Sequence, residues 1–164
     1  MRHPTMLRAF HALALFAAIV ASIAATAARA QSSTDQLHTA SPQELAVIKV
    51  LLAQQEFWNA GNLMGFAGAF KDSPDTLFIG TNAIVRGFTH ILDDYHRQYP
   101  TKDAMGTLAY SEFSVVPLGE NFAACTGKYR LERSRKNGGN AEGSFSIVME
   151  KTSIGWRIIL DHAN

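Results

Sequence analysis

The side chains best suited to chemistry are a carboxylic acid and an imidazole that stand side by side near the end of the chain, Asp161 and His162. A carboxyl group that loses contact with water at a pocket wall has a raised pKa and can act as a general acid or base. Imidazole titrates near neutral pH and can do the same. Asp161 and His162 are therefore the candidate catalytic residues. The alternatives are a solvated or ion-paired aspartate and a histidine packed in the core.

The segment that carries these two residues has the alternating pattern of a β-strand and begins with an aromatic residue, Trp156. Successive side chains of a strand point to opposite faces, so Asp161 and His162 cannot share one face of a regular strand. Alternation places His162 with the apolar residues Trp156, Ile158 and Leu160. A β-bulge near the end of the strand would change the side to which both candidates point.

Five aromatic residues, spread along the sequence, are the predicted lining of a pocket. A pocket that combines aromatic rings with few polar groups suits a small, mostly apolar molecule. Ordinary core packing is the alternative for each ring. The five are Trp58, Phe78, Tyr95, Tyr99 and Phe145.

Residues that could ligate a metal occur close together only in the segment from His90 to His96. His90 and Asp94 are four residues apart and would share a helix face, but His96 falls on a different side and leaves the set without a third ligand. We therefore predict a polar helix face and no metal site. No phosphate-binding glycine loop, nucleophile elbow or dinucleotide fingerprint occurs, so no cofactor is expected.

The first 30 residues have the features of a secretory signal peptide: a positively charged start, an alanine-rich apolar run and the small-x-small triplet Ala28-Arg29-Ala30. Cleavage after Ala30 would leave a flexible lead-in over residues 31–40 and one domain over residues 41–164. The protein is then expected to be exported, to the periplasm or outside the cell, with no stable membrane anchor. An uncleaved N-terminal anchor is the alternative.

Charge and cysteine content narrow the class of protein. The chain has 15 lysines and arginines and 14 acids, and loss of Arg2, Arg8 and Arg29 with the signal peptide would leave 12 basic residues, a net charge of −2. No basic stripe remains, so no nucleic-acid partner is expected. Cys125 is the single cysteine, which excludes a disulfide within the chain.

The pattern of the remaining residues predicts helices first and long strands last. Ser41 and Glu44 form a capping-box signature with Pro42 between them, and a stripe of Leu45, Ile48, Leu51 and Leu52 follows. A second short helix, a small hairpin and a third helix precede four long strands that begin near Thr107. This order predicts an α+β fold in which helices cover one face of a mostly antiparallel sheet.

The order of these elements, together with several short motifs, resembles the nuclear transport factor 2-like superfamily, also called the SnoaL-like or ketosteroid-isomerase-like cone. The resemblance extends to small exported bacterial members of unknown function and to the association domain of the calcium/calmodulin-dependent kinase. It implies helices packed in the concave face of a strongly curved sheet, a conical pocket and a homodimer formed through the sheet. The motifs are Trp58-Asn-Ala-Gly61-Asn62, Phe78-Ile-Gly80, Arg86-Gly87, Gly106-Thr-Leu108, Leu118-Gly119, Gly127-Lys-Tyr-Arg-Leu131 and Gly155-Trp-Arg-Ile158 followed by Asp161-His162.

The resemblance to the kinase association domain also implies a role for Arg130. An arginine stands at the matching strand position there and faces the cavity, so Arg130 would hold a carboxylate-bearing ligand in a two-point contact. The alternative is a solvated strand face on which Lys128, Arg130 and Glu132 form ordinary cross-strand pairs.

Three functions follow from the sequence. The first is a module that binds a small apolar or carboxylate-bearing molecule in its pocket. The second is an isomerase, lyase or hydrolase that uses Asp161 or His162 as general acid or base. The third is a dimerisation scaffold without a ligand, and the sequence leaves open whether the protein is an enzyme.

Overall fold

The computed structural model describes residues 39–164. The predicted signal peptide, residues 1–30, and all but the end of the predicted lead-in lie outside the described residues. Within the described part, no helix is both long and apolar enough to cross a membrane. The elements are α1 (Pro42–Asn59), α2 (Leu63–Ala67), β1 (Leu77–Ile79), β2 (Ile84–Arg86), α3 (Phe88–Gln98), α4 (Lys102–Met105), β3 (Thr107–Pro117), β4 (Phe122–Glu132), a 3-10 turn (Arg135–Asn137), β5 (Ala141–Thr152) and β6 (Gly155–Ala163).

Six strands form one sheet in the order β2-β1-β6-β5-β4-β3. The four long strands β3 to β6 make an antiparallel meander. The short β1–β2 hairpin extends the sheet through β1, which pairs with β6 and runs parallel to it. The predicted α+β class with a mostly antiparallel sheet is confirmed.

Helix α1 begins as the sequence predicts. The Ser41 hydroxyl accepts a hydrogen bond from the backbone N–H of Glu44, whose carboxylate accepts one from the backbone N–H of Ser41. The predicted apolar stripe is partly wrong, because Leu45 and Leu52 are 57% and 42% exposed. The buried face instead repeats at i, i+4, i+7 and i+11 and includes a polar residue; it consists of Val47, Leu51, Gln54 and Trp58.

Side chains of α1 also cover the free edge of the sheet at β3. Asn59 exchanges two hydrogen bonds with the backbone of Leu108, at 2.7 and 2.8 Å, and Gln55 accepts one from the backbone N–H of Tyr110 at 2.7 Å. An edge strand otherwise presents unpaired backbone groups. These bonds fix the helix against the concave face of the sheet.

A β-bulge and a glycine coincide where β3 and β4 bend. The pairing shifts between Ser111 and Ser114, and Glu112 in this bulge has a φ of 55°. Gly127 lies opposite it on β4, and a Cβ atom there would stand 2.5 Å from the Phe145 ring and 3.0 Å from the Ser111 carbonyl oxygen. A bulge increases the local bend of a strand, and the missing side chain lets Phe145 lie over the bend.

Candidate functional site

The site is positioned by a bulge in the last strand, β6. Leu160 pairs with Val148 and Ile158 with Met149 on β5, so Ile159 has no partner in this ladder. On the side of β6 that faces away from β5, the backbone N–H of Ile158 donates a hydrogen bond to the carbonyl of Ala69. The carbonyl of Ile158 accepts one from the backbone N–H of Lys71, and both bonds measure 2.8 Å. The extra residue reverses the alternation beyond it.

This reversal decides between the two predicted catalytic residues. Asp161 and Ala163 line the same cavity as Ile158, whereas His162 is exposed and does not line it. The regular alternation that placed His162 with Trp156 and Ile158 is therefore wrong, and the bulge is its physical reason. Of the acid and the imidazole, the structure brings only Asp161 to the cavity.

The cavity lies between the concave face of the sheet, helices α1 and α3, and the β1–β2 hairpin, with a volume of about 370 Å³. Pockets for small molecules typically span about 300–1,000 Å³. All five predicted aromatic residues, Trp58, Phe78, Tyr95, Tyr99 and Phe145, contribute to its wall. Their role in binding a ligand stays a prediction.

Four of the rings, all but that of Phe145, contact one another in a continuous cluster with Tyr95 near its middle. The Tyr95 ring lies 5.9 Å from Phe78 and 6.0 Å from Tyr99, measured between ring centroids, and the Tyr99 ring lies 4.8 Å from Trp58. Edge-on and offset contacts of this kind are favourable for aromatic pairs. The cluster gives one wall of the cavity a rigid aromatic surface.

Asp161 lies at the centre of the sheet, opposite Phe78 on β1 and Ile147 on β5. Its Oδ1 is shielded from solvent and has no hydrogen-bond partner among residues 39–164. The residue as a whole is half-buried because it borders the cavity, but the carboxyl group lies deep inside the domain. Loss of hydration disfavours the charged form, and burial raises the pKa of Asp161 to about 7.

Two phenol groups face the same space. Burial raises the pKa of Tyr95 and of Tyr110, and the negative charge of Asp161 raises both further. The two hydroxyls therefore stay protonated at neutral pH. The Tyr110 hydroxyl donates to Gln54 Oε1 at 3.4 Å, and Gln54 Nε2 donates to the Phe66 carbonyl at 3.3 Å. Around Asp161 the site thus combines a carboxyl of raised pKa with neutral hydrogen-bonding groups.

Sequence reasoning missed Gln54 and Tyr110. Gln54 occupies a buried helix position that a search for apolar periodicity passes over, although a glutamine three residues beyond Leu51 was the available signal. Tyr110 lies two residues after Leu108 on β3, so alternation puts both side chains on the inner face, and this spacing was the available signal. Neither residue belongs to a motif with a chemical meaning of its own.

Arg130 does not face the cavity, so this prediction is wrong. Strand β4 turns Tyr129 and Leu131 inward, and the alternating position of Arg130 is exposed on the outer face of the sheet. Its guanidinium pairs with Glu132 at 3.0 Å. The solvated strand face is the observed arrangement.

The fold of this domain has counterparts among solved structures. Neither the protein-family models nor the curated proteins yield a match. Several solved structures match with a probability of 1.00. A nuclear transport factor 2-like protein of unknown function from Shewanella oneidensis is 24% identical, with 72% of this chain and 95% of that chain covered and a TM-score of 0.67. A nuclear transport factor 2-like superfamily protein from Salmonella enterica is 22% identical, with 74% and 89% covered and a TM-score of 0.59.

A third match is described as a putative calcium/calmodulin-dependent protein kinase II association domain from Xanthomonas campestris. It is 19% identical, with 71% of this chain and 83% of that chain covered and a TM-score of 0.60. Identities at this level establish the fold alone. These matches confirm that the described domain has the nuclear transport factor 2-like fold.

Proposed function

We propose that this domain binds a small, mostly apolar molecule in its cavity and anchors one polar group of that molecule on Asp161. The observation that carries the proposal is a buried carboxyl group on the cavity wall whose Oδ1 has no hydrogen-bond partner among residues 39–164. Buried polar groups are almost always hydrogen-bonded, and an unsatisfied one costs about 1–3 kcal/mol. A ligand that supplies the missing hydrogen bond would remove this cost.

The composition of the cavity wall supports the same conclusion. Aromatic and aliphatic side chains form most of it, and a few polar groups converge near Asp161, among them the amide of Gln54 and the hydroxyls of Tyr95 and Tyr110. This combination of a large apolar surface with a few fixed polar groups is typical of sites that bind and orient small organic molecules.

The test is to fill the cavity without changing its chemistry. Ala163 lines the cavity and its neighbour His162 points outward, so Ala163→Phe adds a ring inside and His162→Phe adds the same ring outside. The probe is prodan, a neutral naphthalene ketone whose fluorescence reports an apolar environment. We expect prodan to bind the wild type and His162→Phe equally and Ala163→Phe at least tenfold more weakly. Equal binding by all three would refute the proposal in favour of a scaffold with no ligand.

A second candidate function is proton transfer at a carbon next to a carbonyl, as in an isomerase or lyase. A general acid or base works best when its pKa lies near the working pH, and Asp161 has a pKa of about 7. The protonated hydroxyl of Tyr95 would donate to a developing enolate oxygen, while the Tyr110 hydroxyl donates to Gln54.

This candidate is tested by exchange of the α-protons of the probe ketone 2-tetralone for deuterium, followed by proton NMR. We expect the wild type and His162→Asn to accelerate exchange above the buffer rate and Asp161→Asn to lose the acceleration. An unchanged rate with Asp161→Asn would exclude the carboxyl as the base and leave binding alone.

We further propose that two copies pair through the outer face of the sheet. Phe122 and Val116 lie exposed on that face, 42% and 54%, next to the equally exposed Leu118. Sedimentation equilibrium should give a dimer that Phe122→Glu converts to a monomer; a monomeric wild type would contradict the pairing.

Export rests on the N-terminal residue pattern alone. We propose cleavage after Ala30, which mass spectrometry of protein secreted by a bacterial host would check. A mature chain that begins at Gln31 is expected, and a full-length chain retained in the membrane would contradict it.

A further inference from the structure

We infer that the cavity selects an organic cation, a small molecule with one ammonium group on an apolar body. The inference rests on the proposed binding function and names the chemical class of its ligand. It comes from the charges that line the cavity, the unpartnered carboxyl oxygen and the position of the aromatic rings.

The charges around the cavity all have one sign. Among the described residues that line it, the two with charged side chains are acids, Asp161 and Asp94, and no lysine, arginine or histidine contributes to the wall. Asp94 is already paired with Arg97 one helical turn away, so its charge is offset outside the cavity. Asp161 is therefore the charged group left to define what the cavity accepts.

The groups that face Asp161 from the surrounding elements do not neutralise it. Helix α3 contributes Tyr95, β3 contributes Tyr110 and α1 contributes Gln54, while Phe78 and Ile147 flank it on β1 and β5. His162, its neighbour on β6, points to the outer face. Within residues 39–164, a carboxylate in this setting lacks the partner that buried charges normally have.

An ammonium group would supply that partner. Its N–H would donate to the carboxylate of Asp161, and a hydrogen bond between two ionised groups is shorter and about twice as strong as a neutral one. Binding would then favour the charged form of Asp161, so below neutral pH the complex would form with release of a proton from the carboxyl.

The aromatic wall suits the same ligand. Cations are attracted to the faces of Trp and Tyr rings within about 6 Å of the centroid, and the attraction is larger where water is excluded. Trp58, Tyr95 and Tyr99 form one contact cluster on the cavity wall, and the rings of Tyr95 and Tyr99 are nearly parallel, at 29°. The Arg133 guanidinium already lies over the Tyr99 ring, 5.9 Å from its centroid, so the faces of Trp58 and Tyr95 would accept the ligand cation.

The same features exclude an anion. Above neutral pH a carboxylate ligand would meet the charge of Asp161, and among the described residues of the wall none is cationic; Arg130 lies on the other face of the sheet. The sequence predicted a carboxylate-bearing ligand, and the charges of the cavity wall favour a cationic ligand instead.

The test compares three probes that share a phenyl ring and a short chain: 2-phenylethylamine, 2-phenylethanol and 3-phenylpropanoate. Binding is followed by tryptophan fluorescence, to which Trp58 in the cavity wall contributes, and by calorimetry at roughly pH 5.5 and pH 8.5, on either side of the pKa of about 7. We expect the amine to bind the wild type at least tenfold more tightly than the alcohol at the higher pH, and the carboxylate not to bind. The amine should weaken at the lower pH, where calorimetry in buffers of different ionisation enthalpy should detect proton release.

The variant Asp161→Asn keeps the size of the side chain and removes its charge, and His162→Asn is the matched control on the outer face. We expect Asp161→Asn to weaken amine binding about 10- to 100-fold, with little effect on the alcohol, and His162→Asn to behave as the wild type. If Asp161→Asn does not fold, the pH dependence of the wild type decides in its place.

The outcomes separate this inference from the proposal on which it rests. If the alcohol and prodan bind as well as the amine, or if amine affinity does not change with pH, the cavity binds ligands but does not select cations. If Ala163→Phe leaves prodan binding intact, the cavity is not the binding site and both proposals fail.

Discussion

The replacement Asp161→Asn should make the protein more stable at alkaline pH. In the folded protein burial raises the pKa of Asp161 to about 7, whereas the ordinary value of 3.8 applies to the unfolded chain. Between these two values the folded state binds the proton more tightly, so stability falls as the pH rises from about 4 to about 7. Below this window the penalty is absent, and above it the penalty is complete.

The size of the effect follows from the difference between the two pKa values. Each pH unit corresponds to about 1.4 kcal/mol, so a difference of about three units amounts to on the order of 4 kcal/mol above neutral pH. Asp161 is half-buried at the cavity wall, so solvent in the cavity screens part of this cost and a few kcal/mol is the expected size. Asparagine has nearly the same shape and no charge, and it avoids the cost at every pH.

The assay is urea unfolding of the wild type, Asp161→Asn and His162→Asn at several values between roughly pH 4 and pH 8.5. We expect the free energy of unfolding of Asp161→Asn to exceed that of the wild type by a few kcal/mol at the alkaline end and to approach it at the acidic end. His162→Asn, on the exposed side of the same strand, should follow the wild type. A difference between Asp161→Asn and the wild type that does not change with pH would refute the reasoning.

Three further predictions concern the elements that build the site. Replacement of Trp156 by alanine should lower the free energy of unfolding by about 3–5 kcal/mol because its side chain is buried in the core; an unchanged melting temperature would contradict this. Gly127→Ala should cost about 1–3 kcal/mol, since the new Cβ would stand 2.5 Å from the Phe145 ring; urea unfolding with no loss would show that the ring moves aside freely. Deletion of Ile159 should remove the bulge and leave Asp161 two positions after Ile158 on the inner face, so its pKa should stay near 7, while a fall toward about 4 by carbon NMR would show that Ile159 is needed to hold the carboxyl inward.

The architecture was predictable because local signals agree with the fold. The Ser41–Glu44 capping box and the long alternating strands after Thr107 each have one dominant structural interpretation. Helix α1 was harder because it is apolar on more than one side. Hydrophobic periodicity therefore favoured Leu45 and Leu52, which remain exposed, and it passed over the buried Gln54.

The candidate site was harder to predict because one unpaired residue decides it. The bulge at Ile159 arises from tertiary pairing, since Ile158 bonds to the segment around Phe70 on one side while the ladder to β5 shifts on the other. No residue type in Trp156 to Leu160 marks such a shift. The sequence could identify Asp161 and His162 as a pair with opposite directions, but the strand partners determine which of them faces inward.

The central claim is that Asp161 points into the cavity of the domain and carries a carboxyl group that titrates near neutral pH. A carbon NMR titration of protein labelled at the aspartate carboxyl carbons, with the Asp161 signal assigned by its absence in Asp161→Asn, measures this directly. We predict a midpoint near 7 for Asp161. A midpoint near 4, the value of an aspartate in water, would place the carboxyl in solvent and contradict the account.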